Sequence, residues 1–347
     1  MLRNFNYCFI SVISLVNNLK QKKLIFLIVI GLLFFCPCSN AVPQTSNIES
    51  LKSFATAASS DSIKSRLYLS VAKEFRFSSL DSVVHYGNIA IDYAMDADNT
   101  NMIIESLLEL AYINISIGNR EKSMQLYTKA KQLCIDNDNQ YLLAKIHLDL
   151  ERYYSTISDY ASSINSLDTA LDIINSNNYS YLKPMVYNSY CNLYLLIQDF
   201  TIAKYYANMA ISYSKQDTNQ TNYIGNILLI GKVFFRNNEI DSSLYYYNRA
   251  LTLAKNINSK TLKQKAYRKI SDYYIEKAEY ELSNLYIDSS IIYCNELALT
   301  NELASLITFK AHIFSLKGDY RKTLKHNLQA LDLRENIGHK TQFALHC

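Results

Sequence analysis

The sequence predicts an all-α fold, an α-solenoid of about seven helix–turn–helix units behind an N-terminal leader. Three observations carry this. Ala90, Ala130, Ala170, Ala210, Ala250, Ser290 and Ala330 stand forty residues apart; all are small, and all but Ala130 precede Ile or Leu. Ten residues before each stands Leu80, Arg120, Tyr160, Phe200, Ile240, Tyr280 or Tyr320, mostly large and apolar. The 347 residues include only 3 Pro and 7 Gly, with no Pro after Pro184, which favours helix throughout. A length of 347 would otherwise suggest two globular domains, but a repeat array grows linearly and needs no single core.

Residues 1–41 read as a leader or signal peptide. Lys20-Gln21-Lys22-Lys23 is the charged part, and Leu24 to Cys36 is an apolar run of thirteen, too short for a comfortable membrane span. Ser39-Asn40-Ala41 supplies the small residues of a cleavage site, placing the cut after Ala41. Cys36 and Cys38 open a lipoprotein alternative, although Phe35 and Pro37 precede them where a small residue is usual. Retention as a membrane anchor is the third alternative. Residues 42–58 form a linker or a short capping helix.

Seven units occupy residues 59–338, each with two amphipathic stretches around a polar turn. In the second, Leu107, Leu110, Ala111 and Ile117 mark the first helix, Gly118-Asn119 the turn, and Ser123, Leu126, Tyr127, Ala130 and Leu133 the second helix. The other turns are Ser158-Asp159, Gln198-Asp199, Asn238-Glu239, Ala278-Glu279 and Gly318-Asp319, with acids where the next helix starts. Pro184 suits the first turn of a helix. Residues 339–347 begin an incomplete eighth unit. With no polar closing helix expected, the reading is that the chain is a truncated form of a longer protein.

Charge and cysteines exclude several roles. The net +4 comes from Arg3, Lys20, Lys22 and Lys23, in a leader without acids; the remainder balances. That argues against a nucleic-acid surface. Cys134, Cys191 and Cys294 have no paired spacing and read as small core residues, so neither a disulfide framework nor a zinc site is expected. There is no HExxH, GxSxG or phosphate-cradling glycine loop, and the six His are scattered. No catalytic residue, cofactor or metal is assigned, and the chain reads as non-enzymatic.

The unit resembles the tetratricopeptide repeat. Its eighth-position residues here are Val71, Ala111, Glu151, Cys191, Gly231, Ser271 and Ala311, small except Glu151, and its turn is seen best at Gly318-Asp319-Tyr320. The resemblance implies a right-handed superhelix in which small residues let helices approach and large ones fill the gap beside them. At forty residues rather than 34 the unit is long. Asp241-Ser242-Ser243-Leu244-Tyr245-Tyr246 resembles the periplasmic repeat regions of Bacteroidetes regulatory proteins.

The resemblance also implies a concave groove built from the first helix of each pair. Its candidate residues are Tyr112, Lys145, Arg152, Asn188, Asn192, Lys232, Arg236, Lys265, Arg268 and His312. Their cations suit an extended peptide with acidic groups, and their amides suit its main chain. The expected function is an exported scaffold, periplasmic or extracellular, that binds a protein or peptide. The alternative is the sensor ectodomain of a membrane-bound transcriptional regulator or histidine kinase, tethered through its N-terminal segment.

Overall fold

The computed structural model describes residues 45–75, 79–215, 220–297 and 299–336. The readings for 1–41 and 339–347 lie outside them. Among the described residues there are fifteen α-helices and no strand. Helix α1 is Thr45–Ala57. Seven pairs follow: α2 Asp61–Phe75 with α3 Leu80–Asp96, α4 Thr100–Ser116 with α5 Arg120–Asp136, and α6 Gln140–Thr156 with α7 Tyr160–Ser176. Then come α8 Lys183–Leu196 with α9 Phe200–Ser214, α10 Gln220–Arg236 with α11 Ile240–Asn256, α12 Lys260–Glu276 with α13 Tyr280–Glu296, and α14 Thr300–Leu316 with α15 Tyr320–Asn336. From α2 onward each helix packs on its neighbours in sequence, and first helices of adjacent pairs also pack on one another from α2 to α12. The chain is a tandem helix–turn–helix solenoid.

The backbone obeys an interval of twenty, half that of the side chains. Most helices are 17 residues long, and connectors are three residues. From α3 onward, each fully described connector holds one residue in the left-handed region: Asp98, Gly118, Asp138, Ser158, Asn178, Gln198, Asn238, Asn258, Ala278 and Gly318. The next residue's N–H donates to a carbonyl five residues back, as from Asn119 to Asn114 at 2.9 Å and from Glu279 to Tyr274 at 2.9 Å. This closes the last turn of the helix. The following helix is then capped by the same residue's side chain where that is short: Asn119, Asn139, Asp159, Asp199 and Asp319 each accept an N–H from three residues on. Glu239 and Glu279, one methylene longer, make no such bond. Acids at the turns thus act as hydrogen-bond caps when Asp, and only through the helix dipole when Glu.

Only two of these ten left-handed residues are glycine. Exposed Ala278 adopts φ 56°, where its Cβ crowds the backbone. Ala278→Gly is expected to stabilise the fold by about 1 kcal/mol, read as a higher urea midpoint with unchanged slope.

The forty-residue interval marks where helices touch most closely. Ala90, Ala130, Ala170, Ala210, Ala250, Ser290 and Ala330 are all at most 1% exposed. The eighth-position residues from Val71 to Ala311 are buried as well. Close approach there lets a hydroxyl of the second helix reach a carbonyl of the first: Ser123 to Ala111 at 2.9 Å, Ser163 to Glu151 at 3.3 Å, Ser283 to Ser271 at 3.0 Å. Glu151, the expected misfit, is buried, and its carboxylate accepts from Ser155 at 2.9 Å. Burial raises its pKa, opposed by Ser155, Arg152 and Ser189.

One expectation is corrected. The large residues ten before the alanines do not all fill gaps: Leu80 is 48% and Tyr320 73% exposed, because these residues open the second helix at its solvent end. In α15, exposed Asn327 and half-buried Arg334 stand at positions that are buried in each of the six preceding second helices, such as Tyr247 and Ala254. Pro184 falls in the first turn of α8, as expected, after a 3-10 turn at Ser180–Leu182.

Candidate functional site

The first helices α2, α4, α6, α8, α10 and α12 line three cavities that share walls. One, of about 480 Å³, is bounded by Arg66 and Lys73 on α2, Glu105, Glu109 and Tyr112 on α4, and Lys145, Asp149 and Arg152 on α6. The second, of about 390 Å³, shares Lys145, Asp149 and Arg152 and adds Met185, Asn188, Gly225 and Lys265. The third, of about 480 Å³, shares Asn188, Gly225 and Lys265 and adds Lys232, Arg268 and Lys269. They form one trough along the inner helices.

Seven of the ten groove candidates line it: Tyr112, Lys145, Arg152, Asn188, Lys232, Lys265 and Arg268. Asn192 stands behind the wall and positions two of them. Its Nδ2 donates to Asn188 Oδ1 at 2.8 Å, and its Oδ1 accepts from Lys232 Nζ at 3.0 Å. Asn188 Nδ2 donates in turn to Asn226 Oδ1 at 2.9 Å, and Asn226 Nδ2 to Ala210 O and Ser214 Oγ, both at 3.1 Å. This chain of amides runs from α9 to α10 and fixes the orientation of each. Arg236 and His312 are exposed and line none of the three cavities. Arg236 still acts at a distance, adding positive potential at Lys232.

The structure adds residues that the sequence reading missed: Glu109, Asp149 and Lys269. They stand one residue after Leu108, Leu148 and Arg268 and keep the same register of forty. Charge at this repeated position was the available signal.

The trough is electrically uneven. Asp149 lies 3.7 Å from Arg152, and burial raises its pKa, with Arg152 and Lys145 opposing and Glu109 reinforcing. The Arg152 guanidinium also sits over the Tyr112 ring at 5.2 Å. No carboxylate lines the third cavity beside its four cations. Asp272 pairs with Arg268 and Lys269. Lys232 and Lys265 form no ion pair among the described residues. Burial, then Lys269 and Arg236, lower the Lys232 pKa against Cys191. A buried ammonium among like charges gains from an anion.

Among the described residues no group of three or more His, Cys, Asp or Glu could hold a metal ion. Cys134, Cys191 and Cys294 are buried and unpaired, as expected of core residues. Burial pushes the Cys191 thiol up to about 12, and the other two to about 11, away from a reactive thiolate.

No family model and no curated protein matches the chain. Solved structures do. A signal transduction ATPase with a tetratricopeptide repeat sensor, from Pyrococcus horikoshii, superposes with TM-score 0.55 at 16% identity over 83% of this chain; the match spans 43% of that protein. A Rap protein complexed with competence and sporulation factor gives 0.55 at 13% identity, over 85% of this chain and 80% of that one. The Rap conjugation gene regulator of plasmid pLS20, in complex with the Phr peptide, gives 0.53 at 14% identity, over 88% and 80%. These likenesses establish the architecture: tandem tetratricopeptide-like helix pairs.

Proposed function

We propose that this tetratricopeptide-like solenoid is a scaffold that binds an extended, acidic peptide or protein segment in the trough between α4 and α12. The carrying observation is the third cavity, where Lys232, Lys265, Arg268 and Lys269 converge without a lining carboxylate. Two of the solved likenesses are complexes with a peptide or a factor, which supports the same reading. Main-chain amides of a bound segment would meet the fixed Asn188, whose amide retains a donor and a lone pair beyond its bonds to Asn192 and Asn226.

The reading includes export through residues 1–41, supported by Lys20-Gln21-Lys22-Lys23 ahead of the apolar run Leu24 to Cys36. N-terminal sequencing of the protein recovered from cells tests it. A start at Val42 supports cleavage and export, whereas an intact Met1 in the soluble cytosolic fraction removes this part. A second reading, the sensor segment of a larger regulator, is supported by the Pyrococcus protein, whose repeat region is such a sensor.

The main test is retention of a random octapeptide pool on the immobilised protein, with retained peptides identified by mass spectrometry. Retained peptides are expected to be enriched in Asp and Glu. The triple variant Arg152→Glu, Lys232→Glu, Arg268→Glu is expected to weaken retention by more than about tenfold, since it replaces attraction with repulsion. Unchanged retention by the triple variant would remove the trough as the site.

A further inference from the structure

We infer that the bound segment crosses α10 at Gly225, main chain over the glycine and a carboxylate in the four-cation cavity, an inference that rests on the peptide-binding reading above. Three helical glycines make the case. A Cβ added to Gly87 would meet Leu110 Cδ1 at 2.5 Å, and one added to Gly231 would meet the Tyr247 ring at 2.6 Å. Both glycines therefore exist to seat a neighbouring side chain. A Cβ on Gly225 would meet nothing within 4 Å. Glycine inside a helix costs about 1 kcal/mol relative to alanine. At Gly225 no contact among the described residues offsets that cost.

What Gly225 does have is position. It borders both the second and the third cavity. The equivalent residues one unit before and one after are Met185 and Lys265, both long, and both in the wall of the second cavity. The missing side chain is thus a notch in a row of long ones, wide enough for a peptide backbone to pass at close range.

The two cavities it joins are unlike, and this sets the direction. The Arg152 side contains Asp149, a carboxylate already paired with Arg152. On the other side stand Lys232, Arg268 and Lys269, with Lys265 bordering both cavities; among the described residues Lys232 and Lys265 form no ion pair. An acidic side chain or a terminal carboxylate therefore faces Lys232, and the neutral part of the segment lies toward α6.

The same octapeptide pool tests this on intact protein. Gly225→Leu is expected to reduce retention about tenfold or more by filling the notch, and Gly225→Ala about two- to threefold. Both should keep or raise the melting temperature, because the new atoms meet nothing in the fold and the helix propensity improves. Lys232→Met is expected to strip the Asp and Glu enrichment from whatever is retained. If Gly225→Leu binds as the parent does while the triple charge variant does not, the crossing point is wrong and the peptide-binding reading stands. If both bind as the parent does, the peptide-binding reading fails and the crossing falls with it.

Discussion

Gly231→Ala is expected to lower stability by about 2 kcal/mol, although alanine is the better helix former by about 1. The added Cβ would fall 2.6 and 2.7 Å from two ring carbons of Tyr247 and 3.2 Å from Tyr246 Cβ. Tyr247 is 1% exposed and packed in the core with Ile227, Ala250 and Ile270, so its ring cannot swing aside without opening a void elsewhere. The clash is at the repeat's eighth position, on α10 inside the fifth helix pair, so its cost falls on the middle of the array. Urea unfolding reads the loss as a lower midpoint. Trimming the ring in the same chain, Gly231→Ala with Tyr247→Leu, should cost less than the two changes summed, because the second removes the atoms that the first strikes. A fully additive pair, or an alanine variant as stable as the parent, would mean that close packing is not what selects glycine there. Gly225, six residues earlier on the same helix, is the internal control, since there alanine is expected to stabilise.

The second large effect is loss of stability in acid through His147. Its register mates at forty are Leu107, Tyr187, Ile227, Tyr267 and Ile307, so an imidazole occupies a core position. It is 7% exposed, and its buried Nδ1 has no hydrogen-bond partner among the described residues. Burial, and then Lys131, push its pKa down from 6.5 to about 4. The folded value is therefore below the unfolded one, and as pH falls through 6.5 the unfolded chain takes up the proton first. Stability contributed by the neutral ring is present above pH 6.5 and is lost progressively down to about 4. Between pH 7 and 4.5 the loss from this residue should reach about 2–3 kcal/mol. His147→Leu should remove that part while leaving stability at pH 7 equal or higher. Glu151 works in the opposite sense: burial raises its pKa, so its cost is felt at neutral pH and is relieved by acid. The difference between parent and His147→Leu isolates the histidine, because Glu151 is common to both. Equal acid losses in the two proteins would refute the assignment.

Much of this architecture was written in side-chain size. Close approach tolerates only small residues, so Ala90 to Ala330 announced the contacts without any knowledge of the turns. The turn positions within each unit were legible too, at Gly118-Asn119 and its equivalents, but their left-handed geometry was not, because it runs against local preference: Ala278 and Gln198 enter a conformation that neither favours. Tertiary packing of the flanking helices overrides that preference. In the trough, Lys145, Asn188 and Lys232 were legible because the first helix of each pair faces inward at a fixed spacing. His312 obeys the same spacing and lies outside the cavities, since a register fixes which way a residue faces and says nothing of how deep the trough is there. Asp149 and Lys269 were missed because a helix face is broader than a single row of positions.

The uniform connectors have a consequence for what the chain can tolerate. Gly118, Ser158, Asn238 and Ala278 all make the same bend, so the lettering of a turn hardly matters. Arithmetic does. Inserting one residue within a helix rotates the following part of that helix by about 100°. A single insertion in α10 before Gly225 would carry Lys232 out of the trough and bring a neighbour in its place. A gain or loss of forty, by contrast, only lengthens or shortens the array. The protein is thus written in metre more than in words, which is how it can match solved structures at 13–16% identity and still share their architecture.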